Sequence, residues 1–214
     1  MRRFLPILIL FCLPLAVATG TEQDTVERSA VTIREFRHMP EKGIPPRILR
    51  RAQGLAIISV VKAGFIFSGK AGEGVVVART GRGWSGPSFI GTGGAGWGPQ
   101  IGAQVTDFVI VLNSERAVRA FSKGGNVTLG ADASVAAGPV GRAAEADVTP
   151  RAAIYTYSKS KGLFIGASLE GAVIGTRNGA NERYYGHPVN PSDILHGRVP
   201  APAGAANLRA ALGR

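Results

Sequence analysis

Between Gly54 and Gly171 short runs of Val, Ile, Ala and Phe are cut by glycine every few residues, most densely from Gly54 to Thr80. β-Branched and aromatic residues fit a pleated surface. Glycine inside such runs marks bulges, tight bends or close backbone approach. The chain therefore reads as α+β and mainly β: a glycine-rich, antiparallel, barrel-like core with short helices at its N- and C-terminal ends. The same texture argues against a βαβ enzyme fold.

The pattern predicts strands over Leu55–Val61, Phe65–Ser68, Gly74–Arg79, Ser88–Thr92, Ala103–Leu112, Val127–Ala137, Ala152–Tyr157, Leu163–Glu170 and Ala172–Arg177. Gly81-Arg82-Gly83 reads as a hairpin turn. Val26, Ala30, Ile33 and Phe36 recur at helical spacing and predict a helix over Thr25–Arg37. Pro45 and Pro46 suit the first turn of a second helix that stops near Gly54. Ser114 can cap a third, and two more close the chain at Ser192–Leu195 and Ala205–Leu212. No repeat with a fixed period is present, and residues 24–214 read as one domain.

Two motifs resemble nucleotide sites and fail on context. Gly91-Thr92-Gly93-Gly94-Ala95-Gly96 matches a dinucleotide fingerprint, but Trp97-Gly98-Pro99 follows where a helix should start. Gly64-Phe65-Ile66-Phe67-Ser68-Gly69-Lys70-Ala71 is nearly a phosphate loop, yet Ala71 occupies the magnesium-binding hydroxyl position and its interior reads as strand. His38, His187 and His196 lack metal-ligand spacing, and no spacing pairs two carboxylates. No catalytic residue, metal site or cofactor is expected. Asn126-Val127-Thr128 is a glycosylation sequon at the start of a strand, a poor acceptor site.

Residues 1–18 read as a signal peptide: Arg2 and Arg3, an apolar run from Phe4 to Leu15, then small residues ending at Ala18. The expected location is export, periplasmic or secreted, with peripheral membrane association. Cleavage would remove Cys12, the single cysteine of the 214-residue chain. The formal net charge is +11. A chain this basic is drawn to anionic surfaces, and export favours phospholipid or acidic polysaccharide over nucleic acid.

The basic residues concentrate early. Arg28, Arg34, Arg37, Lys42, Arg47, Arg50 and Arg51 are opposed only by Glu27, Glu35 and Glu41, and Lys159 and Lys161 flank Ser160 in an expected turn. Such a run either keeps a surface solvated or contacts headgroups, each cation near an anionic membrane being worth about 1 kcal/mol. The expected lipid-binding residues are Arg34, Arg47, Arg50, Arg51, Lys159 and Lys161.

Gly54-LAIISVVKAGF-Ile66, Gly74-Val75-Val76-Val77-Ala78-Arg79, Trp84-Ser85-Gly86-Pro87-Ser88, Val109-Ile110-Val111-Leu112-Asn113, Lys123-Gly124-Gly125-Asn126, Tyr155-Thr156-Tyr157-Ser158-Lys159 and Gly166-Ala167-Ser168-Leu169-Glu170-Gly171 keep the order and spacing of a known domain. The chain resembles the SYLF family, the lipid-binding domain of yeast actin-patch proteins, and is closest to exported bacterial members. The resemblance implies non-catalytic binding of phosphoinositides or other anionic phospholipids, with the N-terminal helix taking part; Arg34 is its matching basic position. Actin binding occurs in some members, and export would keep this chain from actin. The alternative function is a structural or protein-interaction module of the cell envelope. It would bind an envelope protein through a patch around Trp84, Phe89 and Trp97.

Overall fold

The computed structural model describes residues 21–39, 43–129, 135–137, 153–162 and 172–213. Side chains at 65–67, 96–101, 135–137 and 161–162 are outside that description. So is the predicted strand Leu163–Glu170.

Two very long strands organise the fold. β1 (Gly54–Thr80) pairs antiparallel with β3 (Ser88–Leu112) from Val76↔Ser88 to Gly54↔Leu112. The register shifts once, between Phe65 and Phe67. The sequence breaks each strand in the glycine-rich stretches, whereas the ladder runs through them. Glycine lacks strand propensity but keeps its N–H and C=O, so a ladder survives where the side-chain pattern lapses. Both nucleotide-like motifs lie inside these strands. Thr80↔Gly83 closes the turn to β2 (Gly83–Trp84), with Gly83 at φ 105°.

The outer half of β1 folds back over its inner half. A Cβ on Gly74 would collide with the Ile57 carbonyl and Ile58 Cα, and one on Gly72 would meet Val60 Cγ2 at 2.7 Å. Only glycine lets the two segments pass this closely. β3 also pairs with β6 (Ile154–Gly162) and β7 (Val173–Thr176). β7 pairs in turn with β4 (Asn126–Thr128). β5 (Val135–Ala137) lies parallel to β6. The result is a largely antiparallel half-barrel.

Both faces of its base are covered, which is why Leu55, Ala56, Ile57 and Ile58 are buried in succession. Odd positions of β1 and β3 (Leu55, Ile57, Val109, Val111) pack with Tyr155 and Tyr157 against α1 (Glu22–His38) and α6 (Ala206–Leu212). From α1 come Val26, Ala30, Ile33 and Phe36. Even positions (Ala56, Ile58, Phe108, Ile110) pack against Val118 and Phe121 of α3 (Glu115–Ser122). Burial of one such aliphatic side chain stabilises by about 1.5–3 kcal/mol.

α1 starts earlier than its apolar spacing predicts. Thr21 caps the Asp24 N–H and Asp24 caps the Thr21 N–H, a reciprocal box that sets the first turn. α2 (Pro46–Arg51) and α5 (Pro191–Leu195) begin at the expected prolines. α4 (Asn178–Tyr185) is absent from the sequence reading because its apolar residues show no helical period. Tertiary contacts hold it: buried Asn181 accepts the Phe89 N–H, and Tyr184 packs edge-on against Phe89 at 5.1 Å. Trp84 and Phe89 are core residues, 4% and 0% exposed, so they form no docking patch. The side chain of Trp97 is outside the description.

Candidate functional site

The odd-numbered face beneath α1 changes character along the strands. Ile57 and Val109 are buried; the next rung, Ser59↔Asp107, is polar; the one after, Val61↔Val105, reaches solvent. Lys159 of β6 sits in register with Asp107, so serine, aspartate and lysine line up across three strands. Ser59 Oγ donates to Asp107 Oδ1, and Lys159 Nζ lies 2.8 Å from the Glu35 carboxylate of α1.

At this transition a cleft of about 910 Å³ opens between α1, the outer part of the long hairpin and β7. α1 contributes Arg28, Val31, Thr32 and Glu35, which the three- and four-residue spacing puts on one face. Across the cleft Glu73 and Arg177 form a 2.9 Å ion pair. Gly91 leaves room for it, since a Cβ there would press on Arg177 Cδ at 3.1 Å. Among the described residues three large hydrophobic side chains are exposed, Val31 (47%), Val105 (41%) and Val173 (44%), and all three line this cleft.

The residues expected to bind lipid lie elsewhere or are engaged. Arg34 is exposed on α1, outside the cleft lining. Arg47, Arg50 and Arg51 are exposed on α2, whose Ile48 and Leu49 point into the core. The i, i+3, i+4 spacing puts the three arginines on one side of that helix. Lys159 joins β6 to α1 through Glu35, and the side chain of Lys161 is outside the description. Sequence reasoning missed the cleft. The available signal was Val31, an aliphatic residue on the charged face of α1, off the stripe formed by Val26, Ala30, Ile33 and Phe36.

A family model described as "Ysc84: Las17-binding protein actin regulator" matches residues 93–214, more than half of the chain. The chain belongs to the Ysc84 family. It is 54% identical over 167 residues to protein YSC84 of Saccharomyces cerevisiae, covering 76% of this chain and 36% of the yeast protein. It is 48% identical over 190 residues to SH3 domain-containing YSC84-like protein 1 of Homo sapiens, covering 85% of this chain and 56% of the human one. LAS seventeen-binding protein 3 of S. cerevisiae is 52% identical over 166 residues. The chain thus spans from about a third to just over half of the curated relatives it matches.

These Ysc84 relatives correct the expected location. The family model is described as a Las17-binding actin regulator, and the relatives are named for YSC84, for an SH3 domain and for Las seventeen binding, names that tie the family to the actin machinery and not to export. The exported, periplasmic or secreted placement read from residues 1–18 is overturned. The objection to actin-related partners rested on export and falls with it.

Proposed function

We propose that this Ysc84-family chain is a membrane-surface adaptor that binds anionic phospholipid headgroups through exposed arginines and serves actin regulation. The observation that carries the reading is α2. Its six residues hold three exposed arginines and no acid, while buried Ile48 and Leu49 fix the helix to the core. A fixed helix presents its cations together, so the entropy of gathering them is already met by folding. Exposed Arg34 adds to this charge from α1, and the formal net charge of +11 supports long-range attraction.

Vesicle flotation tests it. Binding to phosphatidylserine vesicles is expected to exceed binding to phosphatidylcholine vesicles and to fall with salt. Replacing Arg47, Arg50 and Arg51 by Gln removes about 3 kcal/mol at about 1 kcal/mol each, a loss on the order of a hundredfold. Equal binding to both vesicle types defeats the proposal.

A second reading has its own support. The family description names Las17 binding and actin regulation. On this reading the domain docks a protein of the actin machinery directly. Co-sedimentation with filamentous actin without lipid, undiminished in the triple Gln variant, would favour it over the first.

A further inference from the structure

We propose that the cleft beneath α1 is a binding site for an aliphatic group ending in a carboxylate, distinct from the arginine face of α2. Its volume of about 910 Å³ suits a small ligand, since such sites run to roughly 300–1,000 Å³. Val31, Val105 and Val173 come from a helix and two different strands, and each turns a large aliphatic surface to solvent at the same opening. Isolated surface valines need no explanation; three converging on one concavity mark a place that apolar matter covers.

The charges select the head group. Every acid in the lining is already answered: Asp107 by the Ser59 hydroxyl, Glu35 by Lys159, Glu73 by Arg177. Asp24, one turn before Arg28, accepts the Thr21 N–H in the helix cap. Arg28 lines the cleft and is exposed; the Asp24 charge one turn away acts on it, but among the described residues no carboxylate closes an ion pair with it. It stands one turn from Val31, so an aliphatic chain resting on the valines brings its end to the guanidinium. A single arginine matches one negative charge and the planar fork of a carboxylate. A dianionic phosphate monoester would bring two negative charges to a single arginine, and a cationic head would meet Arg28 directly.

That chemistry has two sources, a fatty carboxylate or the C-terminus of an apolar peptide, and two probes separate them. Decanoate below its micelle concentration and the free-acid peptide acetyl-Leu-Leu-Val are titrated into the full chain. Binding is followed by calorimetry and by the methyl signals of Val31, Val105 and Val173. Saturable binding of either probe, with shifts centred on those methyls, is expected, and the stronger binder identifies the source. Decyltrimethylammonium and the peptide amide are expected to bind about tenfold more weakly or worse, and R28Q to weaken the acid by a similar factor. V31S and V105S alter exposed side chains, leave the core intact and are expected to lower the affinity of both probes. The triple Gln variant of α2 is expected to bind the probes unchanged, which keeps this result independent of the vesicle assay. The proposal is overturned if neither acid saturates, if the cationic surfactant binds as well as decanoate, or if R28Q has no effect.

Discussion

Lys159 Nζ on β6 and the Glu35 carboxylate on α1 meet at 2.8 Å across the edge of the half-barrel, 124 residues apart in sequence. The contact fastens the first helix to the sheet at the rim of the cleft. It also gives Lys159 a protein partner where sequence reasoning assigned it a phosphate.

Because both side chains are about a third exposed, the pair is expected to contribute modestly. A double-mutant cycle of K159M and E35Q should return a coupling of about 0.5–1 kcal/mol in denaturant unfolding. K159M alone should change vesicle binding far less than removal of Arg47, Arg50 and Arg51. A loss equal to theirs would return Lys159 to the lipid site.

Glycine at 74 is required by the crossing within β1. G74A drives a Cβ into the backbone of Ile57 and Ile58, which cannot rotate away. The expected cost is about 3 kcal/mol or more, read as a lowered midpoint or loss of soluble protein. G81A is the control: a Cβ at Gly81 meets nothing within 4 Å, so its midpoint should move by less than about 0.5 kcal/mol.

Acid should loosen the join between α1 and α4. Burial would raise the Glu22 carboxyl, but the Arg183 guanidinium and a backbone hydrogen bond outweigh it and hold the group below its ordinary value of 4.5. A depressed folded-state value means the stabilisation is present above pH 4.5 and is lost as pH falls through the folded value. Wild type should therefore exceed E22Q in stability near neutrality. The two unfolding midpoints should converge below that range.

Alkali acts on the other side of the same helix. Burial, with a smaller contribution from the Glu27 charge, pushes the Tyr184 hydroxyl up to about 12. Burial also raises Tyr157 and Tyr185 well above the usual phenol range. Groups raised in this way hold stability that is complete below the ordinary value of about 10 and declines as pH climbs towards the folded value. Ionisation of Tyr157, Tyr184 and Tyr185 should thus accompany loss of near-ultraviolet dichroism. Ionisation of Tyr184 at about pH 10 in the folded protein, read from its own ring signals in an NMR titration, would contradict the burial.

The sheet was legible wherever apolar residues alternate. Leu55–Val61, Ser88–Thr92 and Ala103–Leu112 fall inside the two long strands, and the prolines mark the starts of α2 and α5. The joins were not legible, because Gly69 to Gly72 and Gly93 to Gly96 carry little side-chain signal while their backbones continue the ladder. α4 was invisible because Asn181 and Tyr184 are held by Phe89, some ninety residues away. Charge could be counted from the sequence, but its placement could not. Arg34, Arg47, Arg50 and Arg51 face solvent, while Lys159 faces Glu35, and only the β6 register decides that. The apparent export signal has the composition of a leader, yet the family is described as one of actin regulators, and composition carries no address of its own.

The nesting of β1 within β3 bears on how the molecule assembles. Outside the Thr80↔Gly83 turn the first rung between β1 and β3, Val76↔Ser88, joins residues 12 apart, and the last, Gly54↔Leu112, joins residues 58 apart. Each rung formed shortens the gap to the next, so the ladder can close progressively from the turn outward instead of meeting the whole loop entropy at once. Structure should nucleate around residues 76–90, and lengthening that turn should slow folding while leaving the unfolding rate nearly unchanged.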